Sequence, residues 1–116
     1  MLFRSKTPWP KSARLLRRSD FQRVYDSGRR FNSPFFTAFA APGAGPGPRV
    51  GFTTSRALGK AARRNRLRRR LREAVRQRFA ELAPGWDVVF NPRSAVHKAA
   101  FREIEAEVKR YFAALL

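Results

Sequence analysis

Between residues 60 and 82 an apolar stripe runs through a block of arginines, and no other segment restricts the fold as much. Leu67, Leu71, Ala74, Val75, Phe79 and Leu82 recur at the period of an α-helix. With Leu67 at 0° and about 100° per residue, Leu67, Leu71, Ala74, Val75 and Leu82 span roughly −20° to 80°. Asn65, Arg69, Arg72 and Arg76 fall at roughly 140–200°, opposite the stripe, with Arg68 near 100° and Arg66 near 260°. Arg64, near 60°, acts at the first turn, beyond the edge of whatever the stripe packs on. The helix must bury one side against other elements while its other side presents guanidinium groups. Pro84-Gly85 stops it.

The charge needs a partner. The chain has 116 residues, with 26 Lys+Arg against 8 Asp+Glu, a formal net charge of +18. Residues 56–78 carry eleven basic residues against Glu73 alone, and residues 1–30 carry nine against Asp20 and Asp26. Residues 79–116 hold five of each sign. The charge therefore sits in two blocks, and the last third is ordinary globular sequence. A basic face on a helix is most often a solvated face relieved by i,i+4 pairs, but one Glu cannot relieve this one. Nucleic acid is the partner the pattern favours, because Arg bonds phosphate bidentately and stacks on bases. Asn65 adds an amide suited to sugar or base edges. A basic amphipathic helix on a membrane is the rival, but the apolar side is needed by the core.

Other classes are excluded. Eleven Phe among 43% hydrophobic residues argue for a real core rather than a disordered tail. The length suits one domain, read as a basic arm over residues 1–14 and a single domain over 15–116. With no Cys and only His97, thiolate zinc sites and His clusters are ruled out. No run of about 18 apolar residues is present, and the opening Met1-Leu2-Phe3-Arg4 lacks a signal peptide's apolar stretch. A soluble, cytoplasmic protein is expected, with no membrane partner and no tightly bound metal.

The remaining elements follow from local patterns. Ser19-Asp20-Phe21-Gln22 fits a capping box, with Phe21, Val24 and Tyr25 on one face of a short helix and Gly28 at its end. Residues 34–41 read as a strand with Phe on both parities, hence covered on both faces. Residues 42–48, Pro-Gly-Ala-Gly-Pro-Gly-Pro, form a loop, and Arg49 to Ser55 reads as a strand pairing with the previous one as an antiparallel hairpin. A further short strand is placed at Arg30–Asn32, and another at Trp86–Asn91. Ser94 is expected to cap a last helix carrying His97, Phe101, Ile104, Val108, Phe112 and Leu115 on one face. The order is α-β-β(-β)-α-β-α, a small sheet packed with helices.

The segment from Arg49-Val50-Gly51-Phe52 through Ser55-Arg56-Ala57-Leu58-Gly59-Lys60 to Arg64-Asn65-Arg66-Leu67-Arg68-Arg69 resembles the signature of the bacterial ribonuclease P protein subunit. Leu16 to Gly28 is similar to that family's opening helix, and Trp86 to Arg93 with the helix after it to its ending. The resemblance covers roughly residues 14–115. It implies an α/β (α+β) two-layer sandwich, ribosomal protein S5 domain 2-like. In it, three helices pack on a small mixed four-stranded sheet with a left-handed β-α-β crossover, against the general right-handed rule. It also implies a cytoplasmic ribonucleoprotein in which a catalytic RNA, using Mg2+, removes the 5′ leader of precursor tRNA. The protein would supply no catalytic residue and would bind its RNA 1:1, with no DNA partner.

Under that resemblance Arg63, Arg64, Asn65, Arg66, Arg68, Arg69, Arg72 and Arg76 would bind the RNA subunit. Arg17, Phe21, Tyr25, Phe39, Arg56 and Lys60 would form the leader cleft, since aromatic platforms stack on any unpaired base. Core packing is the alternative for each aromatic. It is strongest for Phe21, because Phe36 and Ala38 fill the core-facing parity opposite Phe39. The family's second lysine after Ser55 is Ala57 here, Asn91-Pro92 stands where a basic residue usually precedes the Pro, and residues 1–12 and Arg93 receive no role. A ribosomal protein or general RNA chaperone is the alternative function, and a duplex-DNA reader a third. A protein-only nuclease is disfavoured because Asp20, Asp26 and Asp87 stand apart in sequence.

Overall fold

The computed structural model describes residues 11–15, 17–43 and 45–116. Its elements are α1 (Arg18–Ser27), β1 (Arg29–Asn32), β2 (Phe36–Pro42), β3 (Arg49–Phe52), α2 (Ala61–Arg78), β4 (Trp86–Pro92) and α3 (Phe101–Ala114). The four strands form one mixed sheet in the order β1-β2-β4-β3. β1 and β2 are antiparallel, as are β2 and β4, while β3 runs parallel to β4 and reaches it through α2.

The expected hairpin between the second and third strands does not form, because β4 lies between them. Val88, Val89 and Phe90 are all fully buried. Three consecutive apolar residues need cover on both faces, which only a central strand receives. The Pro/Gly loop is long enough to step over that strand, about 10 Å between its outer neighbours. The Gly43 N–H donates to the Gly85 carbonyl at 2.7 Å, tying the loop across the start of β4. The third strand is also shorter than expected, ending at Phe52 rather than Ser55.

One face of the sheet meets α2 and α3. Phe31, Phe36, Ala38, Val50, Phe52, Val88 and Phe90 point into it and pack against Leu67, Leu71, Val75, Ile104, Val108 and Phe112. Tyr111 joins them, its ring 4.5 Å from Phe31 and 5.9 Å from Phe90 between centroids. It was not expected in the core. Its hydroxyl is buried without a hydrogen-bond partner, and burial pushes its pKa above the ordinary phenol value. The Trp86 indole N–H donates to the Leu115 carbonyl at 3.0 Å and fixes the end of α3.

Two caps differ from expectation. α1 begins two residues earlier than a Ser19 cap allows: Arg17 is the N-cap, and Gln22 donates to Asp26 instead of reaching back. Ser94 opens a separate 3-10 turn, Ser94–His97, and α3 starts after Ala100, whose N–H is taken by the Glu103 carboxylate at 3.1 Å. His97 therefore lies outside α3. Gly28 does end α1, but in an extended conformation. Glycine is needed there for space, since a Cβ would come within 2.3 Å of the Val24 carbonyl oxygen.

Of the basic arm expected at residues 1–14, residues 1–10 lie outside the described residues. The rest is built onto the sheet edge. Arg14 bridges Val50, the Leu15 N–H donates to the Val50 carbonyl at 2.9 Å, and Ala13 and Leu15 are buried. This short segment covers part of the β3 edge, which would otherwise be open to pairing.

Candidate nucleic-acid interface

The second face of the sheet is only half covered, and the pairing register shows which half. Ala41, Asp87 and Arg49 form one row across β2, β4 and β3, and Phe39, Val89 and Gly51 the next. α1 lies over these rows. Val24 is buried against Ala41 and Val89, and Phe21 sits on Gly51, where an added Cβ would fall 2.5 Å from its ring. The third row, Asn32, Thr37 and Asn91, lies beyond the helix.

An ion cluster seats α1. Asp87 is fully buried and takes hydrogen bonds from Arg23 of α1 and from Arg49 of β3, the latter at 3.1 and 2.7 Å. Asp20 of α1 lies 3.5 Å from Arg49. Arg23 also donates to the Pro42 carbonyl at 2.9 Å. The hydrogen bonds of Asp87, followed by its charge, raise the pKa of Arg49 against the opposing cost of burial. A carboxylate this deep is tolerable because two guanidinium groups satisfy it.

Beyond α1 a groove of about 800 Å³ opens over the uncovered row. Tyr25 and Phe39 stand at its inner end, edge to face with centroids 5.0 Å apart. The Arg30 guanidinium lies 5.8 Å from the centre of the Phe39 ring. Thr37, Thr53 and Asn91 add polar atoms to the floor. Tyr25 and Thr53 share a hydrogen bond of 2.7 Å between their hydroxyls, and the Asn91 amide donates to Tyr25 at 3.0 Å and to the Thr53 hydroxyl. Arg93, Ser94 and Ala95 form one wall, Ala57 and Leu58 another. Arg93 reaches the Thr37 hydroxyl at 3.3 Å.

The structure thus brings Tyr25 and Phe39 together at the groove, while Phe21, one turn earlier on the same sheet-facing side of α1, packs over Gly51 and does not line it. Arg17, Arg56 and Lys60 are exposed and do not line the groove, although Arg56 and Lys60 flank its Ala57–Leu58 wall in sequence. Arg30, Thr37, Thr53, Asn91 and Arg93 line it and were not among the expected residues. Their sequence signal was weak: Thr37 and Asn91 are polar residues inside apolar strands, at the parity of Phe39 and Val89.

The arginines of α2 divide. Leu67, Leu71, Ala74 and Val75 are buried on the sheet side. Asn65, Arg66, Arg69 and Arg72 are exposed, and half-buried Arg68 donates to the Asn65 side-chain oxygen at 2.8 Å. Arg63 and Arg64 turn back, donating to the Leu58 and Gly59 carbonyls at 2.9 and 2.8 Å. Arg76 is held by Glu73. Arg70 donates to the Val96 and Ala99 carbonyls at 3.1 and 2.5 Å, pinning the turn that forms the groove wall onto α2. Among the described residues no three His, Asp or Glu side chains converge as metal ligands would, and no helix is long and apolar enough to cross a membrane.

A groove with aromatic and polar lining, next to a ridge of outward guanidinium groups, has the composition of a surface for single strands beside one for phosphates. Comparison with known proteins gives the family. The ribonuclease P family model matches residues 9–116. A ribonuclease P protein component of Chloroflexus aggregans is 46% identical over 101 residues, spanning 86% of this chain and 75% of the relative. That of Herpetosiphon aurantiacus is 37% identical over 100 residues, spanning 86% and 81%. The solved RNase P protein of Thermotoga maritima superimposes with a TM-score of 0.78 at 25% identity, covering 89% of this chain and 97% of its own. The Staphylococcus aureus RNase P protein shares the fold at a TM-score of 0.74 and 23% identity, covering 90% and 98%. By sequence over nearly its whole length, and by fold, the chain belongs to the ribonuclease P protein component family.

Proposed function

We propose that this chain acts in tRNA processing by bridging the RNA subunit of ribonuclease P and the single-stranded 5′ leader of precursor tRNA. The observation that carries the reading is the half-covered sheet face, whose open groove has Tyr25 and Phe39 at one end and lies at the root of the arginine helix. Exposed Arg66, Arg69 and Arg72, with Asn65 and Arg68, present donors for phosphates of a folded RNA. The leader lies over the groove, its bases against Tyr25 and Phe39 and its phosphates near Arg30 and Arg93. Neither aromatic distinguishes bases strongly, which suits leaders of varied sequence.

In this reading the hydrolysis belongs to the RNA subunit and its Mg2+. The protein's carboxylates support that division: Asp20 and Asp87 hold α1, and Glu73, Glu81 and Glu105 pair with arginines. One protein per RNA, working in the cytoplasm, completes the proposal. The test is reconstitution with a ribonuclease P RNA at low Mg2+. Adding the protein should restore leader removal. A Tyr25→Ala, Phe39→Ala double variant should lower affinity for precursor tRNA about tenfold or more, while affinity for the RNA subunit and for tRNA lacking a leader stays put. Unchanged precursor binding by the double variant would sink the leader assignment.

A further inference from the structure

An open cavity of about 710 Å³ lies at the far end of α2 from the groove. It is lined by loop 45–48, by half-buried Phe79, which directly follows α2, and by Ser12 and Ala13. The groove is walled by Ala57 and Leu58, ahead of α2, so the 18-residue helix, about 27 Å long, separates the two. Ala13, Pro46, Pro48 and Phe79 make the lining apolar. Among the described residues Arg49 is its only charged group, and Asp87 takes that guanidinium through two hydrogen bonds. In a chain of net charge +18 this cavity is therefore poorly suited to phosphate. A Cβ added at Gly45 or Gly47 would meet nothing within 4 Å, so space stands open above the loop.

An open apolar surface on a small domain marks a place for another apolar group. The chain itself supplies one. The described residues begin at Lys11, next to the cavity, and the ten residues before them include Trp9. Trp9 precedes Ser12 by three positions, and three residues reach at most about 11 Å, so its indole is tethered close to the lining. Pro8 and Pro10 restrict the backbone on both sides of it, so less entropy is lost when it docks. Prolyl rings such as Pro46 and Pro48 pack against aromatic rings in proline-rich recognition. Neither has an N–H, so the loop presents carbonyl oxygens at these positions, which suit an indole N–H. The short tether also gives Trp9 a high effective concentration over any second molecule. We propose that the cavity receives Trp9, so that the N-terminal segment braces loop 45–48 against the end of α2. The brace is independent of the RNA roles proposed above.

The test uses the full-length chain. Trp86 is the other of its two tryptophans, so a Trp86→Phe variant emits from Trp9 alone. Its emission should lie to the blue of an exposed indole and resist acrylamide quenching, and urea should abolish both signatures. Dilution should change neither, and adding Phe79→Ala should return both toward their values in urea. The wild-type background gives a second reading in case Trp86→Phe fails to fold. Trp9→Ala should lower the melting temperature by about 5 °C, and Trp9→Phe by less. With Phe79→Ala already in place, Trp9→Ala should lower it no further, since the two side chains share one contact. The proposal is overturned if Trp9 emits and quenches in the folded protein as it does in urea, or if the two losses in melting temperature simply add. It is also overturned if the protected emission fades on dilution, which would give the cavity to a second copy of the chain. Loss of RNA-subunit affinity in Trp9→Ala at an unchanged melting temperature would overturn it too, and make Trp9 an RNA contact.

Discussion

The two faces of the sheet are built from the same four strands and solve different problems. The face under α2 and α3 is dry, aromatic and closed, with Phe36, Val88, Phe90 and Phe112 all fully buried. The other is held at one end by the charges of Asp20, Arg23, Arg49 and Asp87 and left open at the other, where Thr37, Thr53 and Asn91 stay polar. Alternation along β2 and β4 makes this possible, since neighbouring residues serve opposite faces. Folding is secured on one side, which frees the second to carry a ligand surface that a closed core could not.

The sharpest way to break this division is to damage each face in turn. Phe90→Ala removes a ring packed against Phe36, Phe52, Tyr111 and Phe112. It should cost about 3–5 kcal/mol in denaturant-induced unfolding. Asp87→Ala strikes the seat of α1. Arg49 and Arg23 keep side-chain exposures of 22% and 36%, so water recovers part of the loss. The expected cost is about 2 kcal/mol. Unlike Phe90→Ala, it should also lower precursor affinity in molecules that remain folded, because α1 carries Tyr25 to the groove. A smaller effect tests the open end. Asn91→Val leaves Tyr25 and Thr53 bonded to each other, so stability should change by no more than about 1 kcal/mol. Precursor binding should report the altered floor. A cost near that of Phe90→Ala would mean that the groove floor is core after all.

The smallest expected effect concerns His97, beside the groove wall. Desolvation, then the charges of Arg63, Arg66, Lys98 and Arg70, lower its pKa below the usual imidazole value. The neutral form is thus favoured in the native protein, and the unfolded chain binds more protons below about pH 6.5. Stability tied to this group is full above that pH and is lost as pH falls through the native pKa. The melting temperature of His97→Gln should therefore fall less than the wild type's between pH 7 and pH 5. Parallel profiles would show that His97 contributes nothing.

Much of this was legible in the chain, because the signals were periodic. The apolar stripe of α2, the covered parity of β2 and the apolar run of β4 each follow from local spacing. Strand order did not, because the choice between a hairpin and an inserted β4 depends on which strand most needs two neighbours. Asp87 looked isolated since its partners Arg23 and Arg49 lie 64 and 38 residues away. Tyr111 was missed because Ile104, Val108 and Phe112 already account for the inner face of α3. The pairing of Tyr25 with Phe39 was readable from parity, whereas the exclusion of Phe21 was not. It follows from Gly51, whose missing side chain lets a ring settle at the sheet edge.

Arg70 carries a last consequence. Its guanidinium joins two carbonyls of a neighbouring turn, work that a lysine, with its point charge, does not reproduce. Arg23, Arg49, Arg63, Arg64 and Arg78 are likewise engaged within the protein. Net charge and binding valence are thus separate quantities in this molecule. Several of its cations act as multidentate struts, so a polyanion meets fewer available positive groups than the formal +18 suggests.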